Sequence, residues 1–210
     1  MNPSYLIYNG TIHIHENVEL LPELLRIISR DGIFRVVFGF HFNQSIDNLP
    51  DNILEIFLGE MFNLRVNRWP RYLRKVRFGS HYNQLTDSLP HSTEYVSFGF
   101  HFNQRVDLLP PVKYLYFNGI FNQTLDNLPN SLLKLKLTSG FFQNLDNLPY
   151  SLTHLSLLNP KYDAPIMKLP PGLRVFRKFE DHPIVLPLHS LEEGPEQLQI
   201  VLVERFNEDD

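Results

Sequence analysis

The chain has 210 residues, 43% hydrophobic and 13% aromatic, with 19 Lys and Arg against 23 Asp and Glu, 16 prolines and no cysteine. That much apolar material at a net charge of −4 excludes a disordered polymer, and the lack of cysteine excludes a disulfide framework, a thiolate metal site and a cysteine nucleophile. With no uninterrupted apolar run of about 18 residues and no basic, apolar leader in MNPSYLIYNG, the expectation is a soluble cytoplasmic protein with no membrane partner.

Residues 1–32 stand outside the periodic pattern that follows and read as an N-terminal cap. Tyr5–Tyr8 and Thr11–His15 flank Asn9-Gly10, a hairpin signal. Leu21, Leu24, Leu25 and Ile28 then fall on one face of a short helix.

From residue 33 the chain repeats. FNQSIDNLP at 42–50 returns as YNQLTDSLP at 82–90, FNQRVDLLP at 102–110, FNQTLDNLP at 121–129 and FFQNLDNLP at 141–149. Prolines 50, 70, 90, 110, 129, 149 and 170 mark a frame of 19 to 21 residues, with FNLRVNRWP at 62–70 and Tyr162-Asp163 as weaker copies. After the proline, apolar residues sit at the third, sixth and eighth places, as in Ile53, Ile56 and Leu58; the last two alternate like a strand with one buried face. Gly39, Gly59, Gly79 and Gly99 follow the strands, where a left-handed bend is expected, since glycine adopts that backbone freely.

Twenty residues cannot hold a strand plus a crossover helix, which together need about 30. Each unit must therefore be a coil whose strand pairs in parallel with those of the coils on either side, stacked about 4.8 Å apart. The fold class expected is a solenoid of about nine such coils, with a repeat domain at 33–178 and an irregular repeat plus C-terminal cap at 179–210. Between Pro170 and Pro195 the frame stretches to 25 residues and the register is open; Phe206-Asn207 resembles one more Phe–Asn pair.

The strings FGFHFNQ at 38–44 and 98–104, each followed by a Leu-Pro pair, resemble the FNIP repeat, the FGxxFN type of leucine-rich repeat. The likeness covers about residues 33–176 and implies a right-handed leucine-rich-repeat array with one parallel sheet on its concave face, a Phe spine, an Asn ladder and a role in protein–protein contact. The family is known mainly from amoebae and large DNA viruses that infect them, so a viral member would work in host cytoplasm. Some members carry an F-box, and LLPELLRII at 20–28 has a faint likeness to the start of one. Leu64, Ala164, Phe142, Asp163 and Thr138 depart from the pattern, and Leu85 and Thr86 are exchanged relative to Ser45 and Ile46, so local irregularity is expected there.

Equal positions of successive coils form rows, and each row is judged as a group. Phe42, Phe62, Tyr82, Phe102, Phe121, Phe141 and Tyr162 make an aromatic row that reads as core. Asn43, Asn63, Asn83, Asn103 and Asn122 read as a buried ladder satisfying backbone groups where the coil turns. Asp47, Asp87, Asp107, Asp126 and Asp146 read as acceptors within their own turns, because five equivalent carboxylates lack the differing environments that acid–base catalysis needs. His41, His81 and His101 share a row interrupted by Met61, too few ligands for a metal. No phosphate-loop, dinucleotide or hydrolase motif occurs, so no catalytic residue, metal or cofactor is assigned.

Strand alternation turns Glu55, Phe57, Lys75, Arg77, Tyr95, Ser97, Tyr114, Tyr116, Lys134, Lys136, His154 and Ser156 away from the core. Of these, Phe57, Lys75, Arg77, Tyr95, Tyr114, Tyr116, Lys134 and Lys136 form the candidate partner-binding surface, since Tyr and Arg combine apolar area with polar tips. Residues 65–77, RVNRWPRYLRKVR, add six cations around the single Trp, a cluster suited to an acidic protein; the acidic whole chain argues against nucleic acid. The function expected is a non-enzymatic protein-interaction scaffold, monomeric, with a substrate-recognition subunit for a ubiquitin ligase or a carbohydrate-active enzyme as alternatives.

Overall fold

The computed structural model describes residues 5–15, 22–30, 32–179 and 198–203. Eleven short strands lie in one sheet in strict chain order: β1 (Tyr5–Tyr8), β2 (Thr11–Ile14), β3 (Arg35–Phe38), β4 (Glu55–Phe57), β5 (Lys75–Arg77), β6 (Tyr95–Phe98), β7 (Tyr114–Phe117), β8 (Lys134–Leu137), β9 (His154–Leu157), β10 (Val175–Phe179) and β11 (Gln199–Val203). A single helix, α1 (Pro22–Ile28), is found among the described residues. Only β1 and β2 are antiparallel; from β2 onward every neighbouring pair is parallel. The molecule is a β-solenoid in which each coil contributes one strand to the sheet.

The hairpin turns at Asn9 (φ 46°) and Gly10 (φ 71°), the left-handed pair that matches strand twist. Its second strand is also the first rung of the parallel sheet, Thr11 opposite Arg35 and Ile14 opposite Phe38, so the hairpin extends the array instead of merely covering it. Leu24 and Ile28 of α1 are buried, and Leu25 is partly so. Leu21 lies outside the described residues.

Several coils place three buried apolar side chains where the proline frame puts them, as with Ile53, Ile56 and Leu58 or Leu73, Val76 and Phe78; after Pro90 the first is Thr93, and after Pro110 the set shifts by one to Val112, Leu115 and Phe117. The aromatic row forms a continuous stack from Phe42 to Tyr162, with centroids 6.0 to 6.3 Å apart and ring planes within 11° of parallel. A second row, carried by the strand ends Phe38, Phe78, Phe98 and Phe117, lies against the first at 4.1, 4.1, 3.6 and 3.7 Å within each coil. The spine is therefore two rings thick in these four coils, Leu58, Leu137 and Leu157 standing at the strand end in three others, and each interlocked pair gains about 0.5–1.5 kcal/mol beyond area burial.

Three expectations are corrected. The glycines after the strands do not adopt a left-handed backbone: among the described residues positive φ occurs only at Asn9, Gly10 and Gly32. Gly59 is required by close approach instead, because a Cβ there would strike the carbonyl oxygen of Gly39 in the preceding coil. The Asp row does not bond only within its own turn: Asn144 Nδ2 donates to Asp146 Oδ2 there (3.0 Å), but the backbone partners lie in the next coil. Asp47 Oδ1 accepts from the backbone N–H groups of Asn67 (2.9 Å) and Arg68 (3.3 Å) in the next coil, and Asp146 Oδ1 does the same for Met167 (2.7 Å) and Lys168 (3.0 Å).

The Asn ladder lies at the surface, not in the interior: Asn43 and Asn63 are exposed and Asn83, Asn103 and Asn122 half-buried. Its rungs still join coil to coil. Asn83 Oδ1 accepts from Asn103 N (2.9 Å) and Gln104 Nε2 (3.2 Å), and Asn103 Oδ1 accepts from Asn122 N (2.8 Å) and Gln123 Nε2 (3.2 Å). The register left open after Pro170 is fixed by the strand pairing. β11 pairs Phe176 with Ile200, an offset of 24 residues. Phe206-Asn207 lies outside the described residues.

Candidate functional site

Parallel pairing brings the outward side chains of β3 to β10 into two rows. One runs Arg35, Glu55, Lys75, Tyr95, Tyr114, Lys134, His154, Val175; the other runs Val37, Phe57, Arg77, Ser97, Tyr116, Lys136, Ser156, Arg177. All eight residues expected to bind a partner, Phe57, Lys75, Arg77, Tyr95, Tyr114, Tyr116, Lys134 and Lys136, lie on this one face. Strand periodicity puts them there, because the core row between them (Ile56, Val76, Val96, Leu115, Leu135) is fully buried.

The face has a definite internal order. The Phe57 ring is ringed by three cations, Lys75 Nζ at 5.4 Å, Arg35 at 5.6 Å and Arg77 at 5.7 Å from its centroid. Lys75 Nζ also sits 4.6 Å from the centre of Tyr95, whose ring packs on Tyr116 at 5.2 Å and Tyr114 at 6.4 Å. Lys134 Nζ caps Tyr114 at 6.0 Å. Cations over ring faces are worth about 0.5–1 kcal/mol each at exposed sites, enough to fix long side chains in place. Burial, reinforced by Tyr95 and Tyr114, pushes the Tyr116 hydroxyl pKa up, so it stays protonated as a donor.

Arg35 and Arg177 extend the face beyond the residues expected, and both were readable: Arg35 is twenty places before Glu55, and Arg177 is twenty-one after Ser156. Arg35 pairs with Glu55 at 2.7 Å, the only acid in the two rows. Ser97 points outward yet is buried, its hydroxyl receiving the Asn118 amide at 3.1 Å.

The basic stretch 65–77 is not one surface. Arg65 is bidentate to Asp87 (3.2 and 3.0 Å), and Arg68 bonds Asp51 (2.8 Å) and the Leu49 carbonyl (2.7 Å), both on the loop side of the coils. Trp69 is core, edge-on to Phe78 at 5.9 Å with its indole N–H on Ser88. Lys75 and Arg77 alone reach the sheet face. The stretch winds around a coil, so residues adjacent in sequence end on opposite sides.

His81 and His101 each bring Nδ1 to a carbonyl of the preceding coil, Glu60 O at 3.1 Å and Ser80 O at 2.9 Å, their rings 5.1 Å apart. Both bonds require Nδ1 to carry the proton. Among the described residues no group of three or more His, Asp or Glu side chains is placed to hold a metal, and no helix is long and apolar enough to cross a membrane.

No family model matches the chain, and no curated protein matches it. Among solved structures it is similar to CroV588, a giant-virus protein described as a novel circular leucine-rich-repeat structure, with 23% identity, 94% of this chain covered and a TM-score of 0.46. The chain spans 41% of the length of that protein.

Proposed function

We propose that the chain is a non-enzymatic protein-interaction scaffold of the FNIP-repeat type, docking a protein partner on its concave sheet face. The observation that carries the reading is the single surface on which four aromatic and four cationic side chains from five consecutive coils converge, Phe57 to Lys136. The alternative rows are taken up by folding: Asn and Asp hold neighbouring backbone N–H groups, and the glycines admit the neighbouring carbonyl. Stacked repeats supply such a broad face without a cleft, which suits another protein better than a small substrate.

The test is affinity capture from cell extract with the wild type and with Arg77→Glu/Tyr114→Ala/Tyr116→Ala, the bound proteins being identified by mass spectrometry. The variant should lose the proteins that the wild type holds while its melting temperature stays within a few degrees, the substituted side chains lying on the sheet surface. Retention of the same proteins overturns the docking face.

A further inference from the structure

The net charge of −4 conceals a strong division along the chain. Residues 180–210 contain nine Asp and Glu and one Arg, so residues 1–179 have the remaining 18 Lys and Arg against 14 acids and are net positive by 4. The positive charge is concentrated further on the sheet face, where six cations stand in the two rows against the single Glu55. That acid is already spent on Arg35. At the far end, burial together with the charges of Lys134, Arg177 and Arg174 holds the His154 pKa below its usual value, as a positive field does.

Building on the docking face proposed above, we infer that its occupant is an acidic, extended polypeptide segment running across the strands, with carboxylate pairs about four residues apart. The spacing follows from the geometry. The Lys75/Arg77 pair and the Lys134/Lys136 pair are separated by three rungs of the sheet, β5 to β8, which is about 14 Å at about 4.8 Å per rung. An extended chain covers that in about four residues at about 3.3 Å each. Between the two cationic pairs lie Tyr95, Tyr114 and Tyr116, whose hydroxyls donate to carboxylate or backbone oxygens.

A single-stranded nucleic acid would also seek cations and aromatics, but it needs open ring faces on which to stack. Here Lys75 covers Tyr95, Lys134 covers Tyr114, three cations surround Phe57, and all four rings are half-buried. A carboxylate can reach the same ammonium and guanidinium groups without displacing them from the rings.

The probe is a fluorescein-labelled peptide, Glu-Glu-Gly-Ser-Glu-Glu, titrated with the full chain and followed by anisotropy; a thymidine oligonucleotide of about equal charge is the comparison. The peptide should bind saturably, with Kd rising about tenfold between low and physiological salt, because exposed ion pairs are screened. Lys75→Glu/Lys134→Glu should weaken it more than tenfold, and the milder Lys75→Gln/Lys134→Gln, which leaves no repulsion to unsettle the fold, more than threefold. Tighter binding of the oligonucleotide, or peptide binding unchanged in both lysine variants, overturns the acidic occupant. Should that occur while Arg77→Glu/Tyr114→Ala/Tyr116→Ala still strips the cellular proteins, the docking face stands and only its acidic specificity falls.

Discussion

Replacing Gly59 by Ala tests the closest contact between coils. Gly39, Gly59, Gly79 and Gly99 occupy one position in successive coils, and the carbonyls of the first three lie where a Cβ on the next coil's glycine would be. The obstacle is backbone, and it is pinned: Gly39 O accepts Phe42 N at 3.1 Å and Gly59 O accepts Phe62 N at 3.2 Å. A methyl group at Gly59 must therefore push two coils apart, stretching the adjacent bond from Met61 N to Phe40 O, now 3.0 Å. Overpacking of this kind costs about 1–3 kcal/mol, and a lost inter-coil hydrogen bond adds about 1 kcal/mol. A total near 3 kcal/mol corresponds to a fall in melting temperature on the order of 10 °C for a chain of this size.

Gly32 supplies the contrast. Its φ is +92°, and among the described residues no atom beyond its chain neighbours lies within 4 Å of the position a Cβ would take, so Ala there meets backbone strain, about 1 kcal/mol, or about 3 °C. Asn, which tolerates the left-handed region better than Ala, should recover part of the loss at Gly32 and none at Gly59. Thermal melts of the four single variants decide the matter. A Gly59→Ala protein melting within about 2 °C of the wild type, or an Asn there that outperforms Ala, refutes the steric account.

The Asn ladder stops at Phe142, which receives a rung from Asn122 Oδ1 (2.9 Å) but has no amide to pass on and is 42% exposed. Phe142→Asn should raise stability by about 1 kcal/mol by accepting from the N–H of Asp163, and an unchanged urea midpoint would contradict this. Thr86 is 3% exposed in the row filled elsewhere by Ile46, Val66, Val106 and Leu125. Thr86→Val, which removes a buried hydroxyl, should stabilise by about 1 kcal/mol by the same measurement, and a lower midpoint would show the hydroxyl to be satisfied. Partial burial alone would raise the Asp47 pKa, but hydrogen bonds from Asn67 and Arg68 and the Arg68 charge outweigh it and leave it below the ordinary carboxylate value. Its contribution is thus full above the unfolded value and lost as pH falls through the lower folded one, so Asp47→Asn should flatten the acid limb of a stability–pH curve below about pH 4. A limb of unchanged slope would remove the inter-coil role of that carboxylate.

The coil, the strand positions and the aromatic stack were legible because a twenty-residue period leaves one way to bury Phe42, Ile53 and Ile56 together. Partners across coils were not. A carboxylate such as Asp47 could serve N–H groups of its own turn or of the coil twenty residues on, and a sequence without coordinates does not rank them. The same limit hid the reason for Gly59, since a bend and a close approach both call for glycine. It also hid the second ring row: Phe78 and Phe98 read as ordinary strand positions until the fold stacks each on the aromatic four residues later. The stretch 65–77 misled differently, because linear charge density ignores the winding that sends Arg68 to a loop, Trp69 to the core and Arg77 to the sheet.

Repetition and variation carry opposite information in a solenoid. A row that keeps one residue type, such as Asn43 to Asn122 or Gly39 to Gly99, is explained by the contact each coil makes with the next, and that contact recurs at every rung. The outward rows of the sheet face the same strand spacing, yet they change from Glu55 and Phe57 to Lys75 and Arg77, to three tyrosines, to Lys134 and Lys136. Folding would accept any β-compatible polar residue at those sites. Instead, like charges stand two residues apart within β5 and within β8, an arrangement that the contacts between coils do not call for. The pattern is therefore better understood as shaped by a bound partner than by the coil. Charge reversal at Lys75 and Lys134 removes their contacts with Phe57, Tyr95 and Tyr114 and sets a carboxylate opposite Glu55, so it should lower the melting temperature slightly, and the glutamine pair is the variant that separates binding from stability.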